Sequence, residues 1–127
     1  MGKSIFIAGN VPSSKNSKQL IVKNGRTFFV WSKTAQKYVR TSKKEYINNA
    51  PIFKEQLEGL KKPYRVSFKF IRGSKHKFDY PNPLQTVLDL MVLYGWLEDD
   101  NADEVIPVFE LYSYSKEKPG VKIAILR

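Results

Sequence analysis

The chain has no cysteine, a single histidine, and no lysine or arginine between Asp79 and Glu104. The first absence excludes disulfides and zinc–thiolate sites and suits a reducing cytoplasm. With one histidine, thiol–histidine chemistry is excluded as well. A serine nucleophile would have to recruit His76, and no Gly-x-Ser-x-Gly elbow is present. Long apolar runs are missing too. The longest, around Val87 to Leu97, is interrupted by Asp89 and falls short of the ~20 residues that span a bilayer, so no membrane partner is expected. The opening "MGKSIFIAGNVPSS" lacks the apolar region of a signal peptide and reads as mature protein. Its Gly2 and following serine do not have myristoylation spacing.

What is there is a single domain's worth of chain. The 127 residues, 42% hydrophobic and 27% charged, predict one globular domain over 1–127. The net charge of +10 is unevenly spread. Residues 1–77 carry 18 lysines and arginines against three acids, whereas residues 78–127 carry four against nine. A basic body points to a polyanion, most often nucleic acid, because each neutralised phosphate releases counterions. A soluble protein that is merely basic has the same composition.

Local patterns predict an α+β fold with two main helices. "SIFIAG", Ser4 to Gly9, reads as a strand, followed by the polar loop "NVPSSKNSKQ". Asn24-Gly25 inside "LIVKNGRTFFVW" is a two-residue hairpin turn. "SKTAQKYVRT" reads as a connection to a helix from about Ser42 to Leu60, with Tyr46, Ile47, Phe53 and Leu57 buried and Pro51 kinking or splitting it. From Tyr64 to Arg72, Val66, Phe68 and Phe70 alternate with Arg65, Ser67 and Lys69, a half-buried strand with a basic face. "VIPVFELYSY" and "VKIAIL" predict two closing strands joined by "SKEKPG". No internal repeat interrupts the domain.

The acidic segment surrounds a helix over Pro83–Tyr94. Asn82 fits its cap, Pro83 its first position, Gln85 a capping box and Gly95 the place past its end. Leu84, Val87, Leu88 and Met91 share a core face, while Asn82, Gln85, Thr86 and Asp89 share the opposite one. Asp79 precedes the helix and Glu98-Asp99-Asp100, Asp103 and Glu104 follow it. The two ends of such a helix are roughly 18 Å apart. Asp79 therefore approaches the later acids only if the chain folds back after Gly95, or if the next strand pairs with the one ending near Arg72. Gathered carboxylates are the hard oxygen ligands of Mg²⁺ or Mn²⁺, which nucleases use to activate water and neutralise phosphate. Taken singly, each acid also fits a structural role: Asp79 at a helix start, Asp89 as an exposed charge, "EDDNADE" as a solvated turn.

The spacing around this helix resembles the RusA-type Holliday-junction resolvases, small dimeric Mg²⁺-dependent endonucleases common in phages and prophages. Their pattern runs Asp-x-Asp-Asn, two residues, Lys, a later helical Asp, Gly, and a Glu/Asp-Asp pair. Asp79, Asn82, Asp89, Gly95 and Glu98-Asp99-Asp100 match it, and "VPSSKNSKQ" is similar to the family's Pro-Ser-x-Asn loop. Two positions depart: Pro81 stands at the second motif aspartate and Gln85 at the motif lysine.

The resemblance implies a homodimeric endodeoxyribonuclease that cuts Holliday junctions or other branched DNA. Asp79 and Asp100 would be catalytic, holding Mg²⁺ (or Mn²⁺) with Asp103 or Asp99. Asn82, Gln85 and Asp89 would orient ligands and waters around the ion. Lys15, Asn16, Lys18, Lys75, His76 and Lys77 are the candidate DNA contacts. The two departures also admit a non-catalytic junction-binding protein of the same fold. A basic phage adaptor whose acidic helix face docks a protein partner is a third reading.

Overall fold

A computed structural model describes residues 3–14 and 18–127. The architecture is α+β. In chain order it comprises β1 (Ile5–Ala8), β2 (Lys18–Lys23), β3 (Arg26–Trp31), α1 (Lys33–Gln56), β4 (Tyr64–Arg72), α2 (Pro81–Leu93), β5 (Val105–Phe109), β6 (Ser113–Tyr114) and β7 (Gly120–Leu126).

The main sheet has the order β1-β7-β4-β5, with β6 also pairing β4. It is mixed: β7 runs antiparallel to β1 and β4, whereas β5 and β6 run parallel to β4. Period-2 alternation puts one row after another into the core. Ile5 pairs with Ile123, which pairs on its other side with Phe68, and Ile7 pairs with Val121, which pairs with Phe70; all six are buried. The same alternation gives β4 and β7 a basic second face, where Lys69 pairs directly with Lys122. Pro107 sits in β5, an edge strand, where the lost amide donor is tolerated.

The hairpin forms a separate two-stranded sheet, with Asn24 at φ 54° and Gly25 at φ 74°, the left-handed pair that this turn requires. Much of its apolar surface is uncovered: Leu20, Val22 and Phe29 are 60%, 70% and 66% exposed.

Helix α1 departs from the sequence expectation at both its start and its middle. It begins nine residues before Ser42, because the Ser32 hydroxyl accepts from the Ala35 amide and "KTAQKYVRT" contains no breaker. Pro51 does not split it. Pro51 and Ile47, whose carbonyl loses its donor, both lie on the exposed side, where water can serve that carbonyl. Ile47 is accordingly exposed; the buried stripe is Ala35, Tyr38, Ser42, Tyr46, Ala50 and Phe53. Leu57 is partly buried against it.

Helix α2 begins at Pro81, so Asn82 lies inside its first turn rather than capping it, and no side chain caps Tyr80. Thr86 is buried rather than part of an open polar face. The "VIPVFELYSY" run divides into β5 and the two-residue β6. No helix among the described residues is long and apolar enough to cross a membrane.

Candidate functional site

The site is built where the chain reverses after α2. Gly95 adopts φ +83°, and the Trp96 amide donates to the Met91 carbonyl at 2.8 Å. The buried Trp96 indole then donates to the Tyr46 carbonyl of α1 at 2.7 Å and packs against Phe53. This anchor sends residues 98–104 back along α2.

That returning segment is pinned at two points. Lys62, just before β4, pairs with Glu104 at 2.8 Å and Glu98 at 3.3 Å. The hydrogen bond that it donates to buried Glu104 holds the Lys62 ammonium above its ordinary pKa. At the second point the Gln85 amide nitrogen donates to Asp100 at 3.0 Å and to Asp89, one turn along α2, at 2.9 Å. One amide thus draws two carboxylates from separate elements together. Lys18 of β2 completes the group, its ammonium 3.2 Å from the other Asp89 oxygen. The rings of Phe29 and Trp31 flank that ammonium at 5.3 and 5.9 Å.

Two cavities open on this cluster. One, about 410 Å³, is bounded by Lys18, Phe29, Trp31, Asp89, Leu93, Asp99 and Asp100. The other, about 350 Å³, follows the α2 face through Pro81, Asn82, Gln85, Thr86 and Asp89, with Ser14 and Lys18 opposite. Thr86 is buried and its hydroxyl has no hydrogen-bond partner.

The remaining predicted residues are distributed differently. Asp99 is held within its own turn, accepting from the Asp100 amide at 2.7 Å and from Asn101 at 3.1 Å. The Asp103 amide donates to the Asn101 side chain at 2.9 Å, within that same turn. Asp79 lies before α2, its carbonyl accepting from the Asn82 amide. It lines a third cavity, about 490 Å³, with Lys75, His76, Lys77, Phe78, Tyr112 and Tyr114. Among the described residues no three acidic or histidine side chains lie close enough to form a metal-binding group. Lys15 and Asn16 lie outside the described residues.

The residues available for Mg²⁺ are thus Asp89 and Asp100, drawn together by Gln85. One or two carboxylates plus waters is the usual protein share of a Mg²⁺ shell, so this set fits the ion. Sequence pattern missed the pairing of Lys18 with Asp89; Lys18 carried no signal beyond its charge. Lys122 likewise joins the basic face of β4 only through strand pairing. Compared with known proteins, the chain matches no family model and no curated protein sequence.

Proposed function

We propose that this protein is a RusA-like, structure-selective endodeoxyribonuclease that hydrolyses phosphodiesters in Holliday junctions or other branched DNA, acting as a homodimer with Mg²⁺. The observation that carries the reading is the convergence of Asp89 and Asp100 on Gln85 in a chain of net charge +10. In a basic protein, paired carboxylates beside an open cavity repel phosphate unless a cation lies between them. Asp100 and Asp89 hold that ion, with Asp99 bordering the same cavity. When bound, it supplies Lewis acidity toward the scissile phosphate and acidifies a water. Lys18 contributes positive charge where Gln85 has none, Gln85 orients the two carboxylates, and Asn82 lines the adjoining cavity. Lys75, His76, Lys77, Lys69 and Lys122 neutralise phosphates outside the reacting one. Asp79 and Asp103 join the ion only through a rearrangement, and Asp79 is instead assigned to the substrate wall.

A second reading rests on the same cluster. Lys18 and Gln85 already satisfy three of the four Asp89 and Asp100 oxygens. This favours a junction-binding protein of the same fold that does not cut. The deciding experiment incubates the protein with a labelled immobile four-way junction in Mg²⁺, Mn²⁺ or EDTA at low salt. Paired, metal-dependent nicks that Asp100→Asn cannot make support the nuclease. A gel shift without nicks in either metal rejects it in favour of the binder.

A further inference from the structure

The cavity beyond the start of α2 has chemistry of its own. Its walls are Lys75, His76 and Lys77 on one side, and Phe78, Tyr112 and Tyr114 on the other. Tyr112 immediately precedes β6 and Tyr114 ends it, and both line the cavity. Each is nearly half exposed, at 47% and 45%. Lys75 places its ammonium 5.1 Å from the Tyr114 ring centre, leaving the charge at the rim of an aromatic surface.

The rings are held from behind. Phe78 meets Tyr112 edge to face at 5.1 Å and Tyr80 at 5.5 Å, and Tyr80 stacks on Phe109 at 4.7 Å. The Tyr80 hydroxyl accepts from the Tyr112 amide at 3.2 Å, which fixes the strand carrying the two exposed tyrosines. The Arg72 guanidinium lies 4.7 Å from the Phe78 ring centre. Arg72 is buried, donates to the Val11 carbonyl, and forms no ion pair among the described residues. The aromatic wall is therefore rigid and backed by an uncompensated positive charge.

No aliphatic side chain lines this cavity. A hydrophobic protein segment would be met by polar-tipped rings and by three basic residues. A nucleotide meets both requirements, since every base has a π-face and every phosphate a negative charge. We propose that this cavity binds an unstacked nucleobase of single-stranded or branched DNA, with the base against Tyr112 and Tyr114 and its flanking phosphate on Lys75, His76 and Lys77. This deepens the branched-DNA reading and rests on it: branch points supply bases that have lost a stacking neighbour.

The test measures anisotropy of labelled oligodeoxycytidine and oligothymidine, and of a four-way junction carrying 2-aminopurine at its branch point. Three proteins are compared: wild type, Tyr112→Leu with Tyr114→Leu, and Tyr112→Phe with Tyr114→Phe, each checked for an unchanged melting temperature. The leucine pair is expected to weaken oligodeoxycytidine binding roughly tenfold or more, while the phenylalanine pair, which keeps both π-faces, stays near wild type. The 2-aminopurine signal should change only in proteins with intact rings. If the leucine pair binds single strands as wild type does, the proposed base site is wrong although the DNA reading stands. If it converts a dimer to a monomer at unchanged single-strand affinity, the surface belongs to a second copy and the base site is again wrong. If wild type binds neither oligonucleotide nor junction at low salt, both readings fall together.

Discussion

Gln85 and Asp100 are fifteen residues apart in sequence, yet the amide nitrogen of one lies 3.0 Å from a carboxylate oxygen of the other. That contact ties the segment returning from Trp96 to the middle of α2. Replacing Gln85 with alanine removes a partner from both Asp89 and Asp100. The expected cost is about 1 kcal/mol, held down by solvent access, because hydrogen bonds to charged groups at an exposed site are partly replaced by water. Urea melts of the two proteins measure it. An unchanged midpoint would mean that the Lys62 clamp alone holds the segment.

Pro81 lines the α2 cavity with Gln85, Thr86 and Asp89 and offers no ligand atom there. Pro81→Asp adds a carboxylate in the first helical turn, where the helix dipole also favours it by about 0.3–1 kcal/mol. The variant should gain more thermal stability from added Mg²⁺ than the wild type does, since an ion bound only to the folded state stabilises it. Equal Mg²⁺ responses in both proteins would separate Pro81 from any ion site.

Tyr38 and Tyr46 share a buried hydroxyl–hydroxyl contact of 2.9 Å in the core. Burial raises both phenols above the ordinary value of 10.0, with Glu45 adding to the effect. A raised folded-state pKa means that this stability is fully present below pH 10 and is lost as pH rises. Above pH 10 the unfolded phenols ionise and the folded ones do not. With both tyrosines contributing, stability should fall steeply as pH rises above 10. Tyr38→Phe with Tyr46→Phe removes both groups together and should flatten that alkaline limb, as urea melts at pH 8 and pH 11 would reveal.

Gly120 opens β7 opposite Ala8, and any Cβ there would collide with the Phe6 ring and the Ile7 carbonyl. The carbonyl belongs to the backbone and cannot swing away. Gly120→Ala should destabilise the domain by about 1–3 kcal/mol, seen as a lower thermal midpoint with an unchanged far-ultraviolet spectrum.

The elements legible in the sequence are those with a local signature. Asn24-Gly25, the alternation of Val66, Phe68 and Phe70, and the Leu84–Met91 face each needed only neighbouring residues to be read. The start of α1 was hidden because Ser32 looks like any loop serine until the chain beyond it is helical. Pro51 suggested a break that exposure on one side makes unnecessary. Thr86 was read as surface because helix angle gives a face and not the object packed against it. The site divides along the same line. Gln85 and Asp89 share a face by spacing alone, whereas Asp100 joins them through the anchoring of Trp96 on α1. Lys18 joins them only through the placement of a hairpin that has no ladder with the rest of the fold. Asp79, adjacent to α2 in sequence, precedes the first helical turn and lines another cavity, with Lys75, Phe78 and Tyr112.

The separateness of that hairpin has a mechanical consequence. Every strand of the main sheet is bound to a neighbour by backbone ladders, so moving one strand breaks several bonds. The ribbon of β2 and β3 exchanges ladder bonds only within itself, and its tie to α2 is the Lys18–Asp89 contact. Trp31 packs against the core and its carbonyl accepts from Gln36, so the base of the ribbon is held by these contacts together with the Lys18–Asp89 pair, of which salt screens only the last. The wall that Phe29 and Trp31 present to the cavity is therefore set from the side of α1 as well as from Asp89.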